Sequence, residues 1–227
     1  MNKLGMWFLC IPLPLSVSEN QAPVDEVWTD GVIALDPGVR TFVTGYDPSG
    51  GVCEWGKHDI GRIYRLCHVL DKLQSEWGGK DVRHRRRYRL KRAGQRIRLK
   101  LRNLVDEFHK KLARWLCENY RVILLPVFKT QGMIRRGHRK IGSRTVRAMA
   151  TWSHYRFQQR LLAKSREYPW CKVVLCDESY TSKTCTRCGV LNNSLGGSKV
   201  FACASCDLVM DRDLNGARNI LIRYLSI

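Results

Sequence analysis

Four cysteines stand in two Cys-x2-Cys pairs, Cys185 with Cys188 and Cys203 with Cys206, separated by fourteen residues. Carboxylates lie on either side of them, Asp177 and Glu178 before and Asp211 and Asp213 after. Each Cys-x2-Cys turn aims two thiolates at one ion, and the intervening segment can form a hairpin that returns the second pair to complete a tetrahedron. Four thiolates leave no open coordination position, so the expected ion is a structural Zn2+. A zinc loop whose two ends lie close together also brings its flanking acids together. One more acid, Asp36, ends the apolar run Gly31-Val32-Ile33-Ala34-Leu35. Alone, Asp36 before Pro37 and Gly38 is a turn former, and Asp213 is a good helix-starting residue. At one edge of one sheet, Asp36, Glu178 and Asp213 would make a pocket able to hold two Mg2+ ions for phosphodiester hydrolysis. Period-two alternation turns one of Asp177 and Glu178 inward without fixing which.

The surrounding elements must create that edge. The run 31–35 reads as a buried strand stopped by Asp-Pro-Gly. Thr41 to Tyr46 and Gly51 to Trp55 are two further strands joined by the turn Asp47-Pro48-Ser49-Gly50, giving a three-stranded meander. Helical periodicity starts at Gly61, and Ile97, Leu101, Leu104, Val105, Phe108, Leu112, Trp115 and Leu116 form one core-facing stripe. Arg121 to Leu125 is a fourth strand, ended by Pro126. A helix from about Ser143 to Arg166, a fifth strand Lys172 to Cys176 and a last helix Asp213 to Leu225 complete the order. The expected fold is α/β and ribonuclease-H-like: a mixed five-stranded sheet with flanking helices and an inserted four-cysteine zinc ribbon.

Charge narrows the partner. The 227 residues carry forty Lys and Arg against twenty Asp and Glu, a formal charge of +20 that points to an extended polyanion, nucleic acid first. The basic residues are segregated: Arg83 to Arg102 holds eleven and no acid, and Asn119 to Arg166 holds twelve and no acid. Arg85, Arg86, Arg87, Arg135, Arg136, Arg139 and Lys140 are the phosphate-contact candidates. Outside the two knuckles the remaining cysteines are scattered in apolar stretches, which argues against a secreted disulfide scaffold and for a reducing, intracellular compartment. The apolar run near the N-terminus, broken by Pro12 and Pro14, reads as a strand of something larger rather than as a signal peptide. No stretch approaches the ~20 apolar residues of a membrane span.

The chain resembles the RuvC-like nuclease half of the transposon-encoded TnpB family and of type V CRISPR effectors. The residues concerned are Asp36 with Pro37 and Gly38, Tyr180-Thr181-Ser182 before the knuckle, and Asp211-Arg212-Asp213-Leu214-Asn215-Gly216-Ala217-Arg218-Asn219-Ile220 after it. Through Leu124 to Met133, Thr145-Val146-Arg147 and Ser153 to Phe157 it is most similar to Fanzor, the eukaryotic and viral branch. The resemblance implies an RNA-guided DNA endonuclease core with guide RNA and target DNA as partners, nuclear if the source is eukaryotic. It also implies Asp36, Glu178 and Asp213 as the Mg2+-binding residues, with Asp211 as a helix cap.

TnpB proteins place a glutamate after the fourth strand, where this chain has Pro126. In the implied sheet order the fourth and fifth strands are neighbours, so Glu178 can substitute across about 4.8 Å, an arrangement that Fanzor proteins resemble. The implied division is 1–26 as a remnant of an N-terminal β-barrel, with Trp7 to Ile11 from its last strand. Then come 27–180 as the first part of the nuclease domain, with a basic helical segment 61–119, 181–210 as the target nucleic-acid-binding zinc ribbon, and 211–227 as the last helix. The shortness ahead of the first strand sets the alternative, an N-terminally truncated, inactive or decayed nucleic-acid-binding fragment. A zinc-ribbon transcription protein would explain neither Asp36 nor the strand order.

Overall fold

The computed structural model describes residues 6–18, 31–128, 130–135, 141–177 and 179–226. Three strands, β1 (Val32–Pro37), β2 (Val43–Tyr46) and β3 (Val52–Trp55), form the expected meander. Helices α1 (Asp59–Gly78) and α2 (His84–Asn119) follow, then β4 (Val122–Pro126), a short α3 (Thr130–Ile134), α4 (Ser143–Trp152), α5 (His154–Ser165) and β5 (Lys172–Cys176). The small hairpin β6 (Val200–Ala202) and β7 (Val209–Asp211) leads into α6 (Arg212–Leu225). The main sheet runs β3-β2-β1-β4-β5, antiparallel within the meander and parallel from β1 through β4 to β5. This is the ribonuclease-H-like mixed sheet that the element order implies.

Side-chain alternation sorts the sheet into two faces. Ile33 and Leu35 on β1 and Ile123 and Leu125 on β4 join Leu112, Leu116, Phe157 and Leu161 from α2 and α5 in the larger core. Val32, Ala34, Val122, Leu124, Val174 and Cys176 face the other way and meet Ile220, Leu221 and Tyr224 of α6. Asp36 lies two residues beyond Ala34, so the alternation that buries Ala34 also turns Asp36 toward α6.

The 36-residue α2 is about 54 Å long. Its C-terminal half packs on the sheet with the stripe expected from the sequence, Leu101, Val105, Leu112 and Leu116 all being buried. Its N-terminal half packs on α1, where Gly94 lets the Trp77 ring approach; a Cβ there would sit 2.5 Å from Trp77 Cζ3.

One expectation needs correction. The single helix Ser143 to Arg166 is two helices, broken at Ser153, which adopts φ 52° and ψ 56°. On a continuous helix Trp152 and His154 would point about 200° apart; the break turns both into the core, where Trp152 Nε1 donates to Val39 O at 3.0 Å and His154 stacks on Phe42. The run Trp7 to Ile11 pairs with no strand among the described residues. Segment 6–18 is tied to the domain by Ser18 N, which donates to Glu167 O at 2.7 Å.

Candidate active site and metal centre

Asp36 sits at the end of β1, opposite Thr44 in the register with β2. The turn after it is closed by Gly38 N to Phe42 O at 2.9 Å and held from outside by the Trp152 indole on Val39 O. Asp213 sits in the first turn of α6, and the two carboxylates line one cleft of about 390 Å³ together with Arg40, Thr181 and Lys199. Gly216, one turn along α6, is where the Asp36 carboxylate rests: a Cβ on Gly216 would fall 2.6 Å from Asp36 Oδ2. The absent side chain at 216 is therefore what lets an acid from β1 reach the helix bearing Asp213.

Burial pushes the Asp213 carboxyl above its ordinary value, and Asp211 adds to this; Arg212, Lys199 and Arg40 oppose it. Asp213 is thus a half-buried acid with a raised pKa in a cleft, the kind of perturbed group that marks a functional-site candidate.

The decapeptide 211–220 divides its work residue by residue. Asp211 is the N-cap of α6, accepting from Asp213 N at 2.8 Å and Leu214 N at 3.3 Å, which is the capping role expected of it. Arg212 donates to Gly196 O at 3.0 Å in the ribbon. Asn215 and Asn219, four apart on one face, clamp the turn entering the knuckle: Asn215 Nδ2 donates to Thr184 O at 2.8 Å, Asn219 Nδ2 to Thr181 O and Thr184 O at 2.7 Å each. Asn215 Oδ1 also accepts from Thr186 N at 3.1 Å. Ile220 enters the sheet core. Sequence reasoning missed the roles of Gly216, Asn215 and Asn219, although all three stand in the quoted motif. Arg40 and Lys199, the cations beside Asp213, carried no sequence signal beyond charge.

The middle carboxylate has two candidates in sequence, Asp177 and Glu178. Pro126 ends β4 on the α6-facing side of the sheet and is the register partner of Cys176, confirming β4 and β5 as neighbours. Asp177 is engaged elsewhere, by Arg223 Nη2 at 3.0 Å near the far end of α6 and by Ser179 Oγ at 2.8 Å. Glu178 lies outside the described residues.

The four knuckle sulfurs all lie within 4.8 Å of one another, with Cys185 and Cys206 Sγ 3.6 Å apart and Cys188 and Cys203 Sγ 3.5 Å apart. A tetrahedral Zn2+ with Zn–S near 2.3 Å sets sulfurs about 3.8 Å apart, so the cluster fits that ion. Burial raises the Cys185 thiol, but backbone N–H groups of Cys188 and Arg187 and the neighbouring sulfurs outweigh it and bring it down to about 7. Cys206 rises to about 12: Leu208 N–H lowers it, but burial and the other sulfurs prevail. Adjacent thiols thus resist ionising together unless a cation joins them. Phe201 and Leu195 pack beneath the sulfurs as a separate small core.

Of the phosphate-contact candidates, Arg85 and Arg86 are exposed on the first turn of α2 and Arg135 is exposed just after α3. Arg87 is tied back by Nη2 to Gly79 O at 3.0 Å, which closes the α1–α2 turn. Arg136, Arg139 and Lys140 lie outside the described residues.

The family model described as "Cas12f1-like, TNB domain" matches residues 154–220, from α5 through the knuckle and most of α6. The chain is 35% identical over 208 residues to the putative transposase A625R of Paramecium bursaria Chlorella virus 1, covering 87% of this chain and 44% of that protein. It is 28% identical over 195 residues to the TnpB-like protein L79 of Acanthamoeba polyphaga mimivirus, covering 82% and 36% respectively. The chain is similar to viral transposase and TnpB-like proteins. It also matches the CRISPR-associated endodeoxyribonuclease Cas12f1 of Sulfoacidibacillus thermotolerans, 36% identical over 85 residues, 37% of this chain and 19% of that one. Among solved structures, that of a Cas12f1–sgRNA–target DNA complex aligns with TM-score 0.58 at 18% identity, over 83% of this chain and 48% of the other. A CRISPR-Cas12f ternary complex aligns with TM-score 0.62 at 16% identity, over 88% and 40%. These structural matches establish the RuvC-type fold. The chain spans less than half the length of these viral relatives. No helix among its described residues is long and apolar enough to cross a membrane.

Proposed function

We propose that this chain is the nuclease core of an RNA-guided DNA endonuclease, hydrolysing DNA phosphodiesters with Mg2+ held by Asp36, Asp213 and Glu178. The observation that carries the reading is the convergence of Asp36 and Asp213 on one cleft, made possible by Gly216. Glu178 as third ligand is supported by Val174 and Cys176 facing α6 on β5, the strand beside Pro126, and by the engagement of Asp177 with Arg223. When bound, Mg2+ would activate a water and stabilise the leaving oxygen. The residues themselves hold two carboxylates at fixed positions on separate rigid elements, while Arg40 and Lys199 at the rim attract the phosphate backbone. Guide RNA and target DNA are the proposed partners, and Zn2+ in the knuckle holds 181–210 against α6.

A second reading, binding without cleavage, is favoured by one feature: Pro126 occupies the α6 side of β4 where the TnpB pattern has a glutamate. Cleavage of labelled single-stranded DNA with Mg2+ or Mn2+ separates the two. Activity that is lost in Asp36→Ala, Asp213→Ala and Glu178→Ala but kept in Asp177→Ala supports the nuclease; salt-sensitive binding with no cleavage in any protein supports the binding module.

A further inference from the structure

A cleft of about 730 Å³ opens between α1 and α4, separate from the carboxylate cleft. Tyr64, Arg65, His68 and Asp71 line it from α1, and Arg144 and Arg147 from α4. Arg147 forks onto Asp71, with Nη2 donating to Oδ1 at 2.7 Å and Nη1 to Oδ2, so the acid of the cleft is neutralised and the two helices are tied together. Arg144 lies over the Tyr64 ring, its guanidinium carbon 4.1 Å from the centroid. Arg65 and Arg144 are exposed and form no ion pair among the described residues. The Gly142 N-cap supplies no side-chain hydrogen bond, so among the described residues no side chain caps the first-turn N–H groups of α4 beside Ser143.

We infer that this cleft binds one nucleotide of a single strand, its base stacked on the outer face of Arg144 and its phosphate on Arg65 and the α4 N-terminus. A cation spread on an aromatic ring presents a flat π-compatible surface, which a base can cover and a duplex backbone has no use for. Duplex phosphates would be served by cations spaced along a helix, without the tyrosine behind them. The volume lies in the range of small-ligand sites, about 300–1,000 Å³. The inference rests on the nucleic-acid reading of the chain but not on cleavage.

The test is fluorescence anisotropy in EDTA with a labelled oligodeoxythymidylate of about twelve nucleotides, and with a duplex of similar length. Arg144→Ala and Tyr64→Ala are expected to lose about tenfold in affinity for the single strand and much less for the duplex. Arg144→Lys keeps the charge and loses the plane, so it should lose most of the same factor; Tyr64→Phe should bind as wild type. Arg65→Ala should lower the salt slope by about 0.7. Arg144 is exposed, so its variants carry the test even where Tyr64→Ala disturbs α1. Single-strand binding unchanged in Arg144→Ala and Arg144→Lys, or equal losses for single strand and duplex, would overturn the stacking site. Wild-type protein binding neither probe would instead bring down the nucleic-acid reading itself.

Discussion

Replacing Gly216 with alanine isolates the positioning of Asp36 from the stability of the helix that positions it. The new Cβ would lie 2.6 Å from Asp36 Oδ2 and 3.1 Å from its Cγ, so the carboxylate must retreat about 0.8 Å to reach ordinary contact near 3.4 Å. Asp36 cannot follow with its backbone, which is held by the β2 register on one side and by Gly38 N to Phe42 O on the other. Alanine inside a helix is better than glycine by about 1 kcal/mol, which offsets much of the local crowding, and α6 should remain folded. A catalytic group misplaced by about 1 Å loses on the order of 100-fold in rate. The expected result in a metal-dependent cleavage assay is therefore a drop of about 30- to 100-fold. The urea-unfolding free energy should stay within about 1 kcal/mol of wild type. Mg2+ affinity measured by calorimetry should weaken in parallel. Cleavage and Mg2+ affinity both within threefold of wild type, in a folded protein, would refute the claim that Gly216 sets the Asp36 position.

Further outcomes follow from the same structure. Asp213 has its carboxyl raised by burial, so its ionised form works against the fold; Asp213→Asn should abolish cleavage yet stabilise the protein by on the order of 1 kcal/mol. The gap between the two proteins should widen as pH rises through that raised pKa and close below the ordinary carboxylate range, which pH-dependent urea melts would show. Asn219→Ala removes two 2.7 Å bonds, to Thr181 O and to Thr184 O, the latter still held by Asn215 Nδ2, so it should cost about 1–3 kcal/mol in the same melts. His109 and His154 are buried and neutral, their pKa values lowered chiefly by burial to about 4 and about 3. Stability should therefore be full above about pH 6.5 and fall as pH drops through that window, by roughly 3–5 kcal/mol per histidine, and His154→Phe should flatten the acid limb. Chelation, or Cys203→Ser, should release about one zinc per chain by elemental analysis and loosen 181–210, with α6 protected less in hydrogen exchange because Asn215 and Asn219 lose their partner segment.

Much of this was legible beforehand, and the reason is local. An apolar run that stops at an acid marks β1 and Asp36, and Cys-x2-Cys pairs mark the knuckle without any tertiary knowledge. The choice between Asp211 and Asp213 came from the resemblance of 211–220 to the family motif, and Asp211 does cap α6 through Asp213 N and Leu214 N. What stayed hidden depends on contacts distant in sequence. The break at Ser153 has no glycine or proline to announce it and exists because Trp152 and His154 are both drawn inward by the turn after β1. Gly216 reads as a mild helix flaw until Asp36, 180 residues earlier, is seen against it. The stacking of Arg144 on Tyr64 joins two helices whose sequences show only periodicity and charge.

The central claim is that Asp36 and Asp213 share a divalent ion, and Mn2+ titration followed by electron paramagnetic resonance tests it without requiring a guide or a cleaved product. We expect saturable Mn2+ binding by the wild-type chain that is displaced by Mg2+, lost in Asp36→Asn and Asp213→Asn, and retained in Asp177→Asn. Equal Mn2+ binding by all four proteins, or none by the wild type, would contradict it.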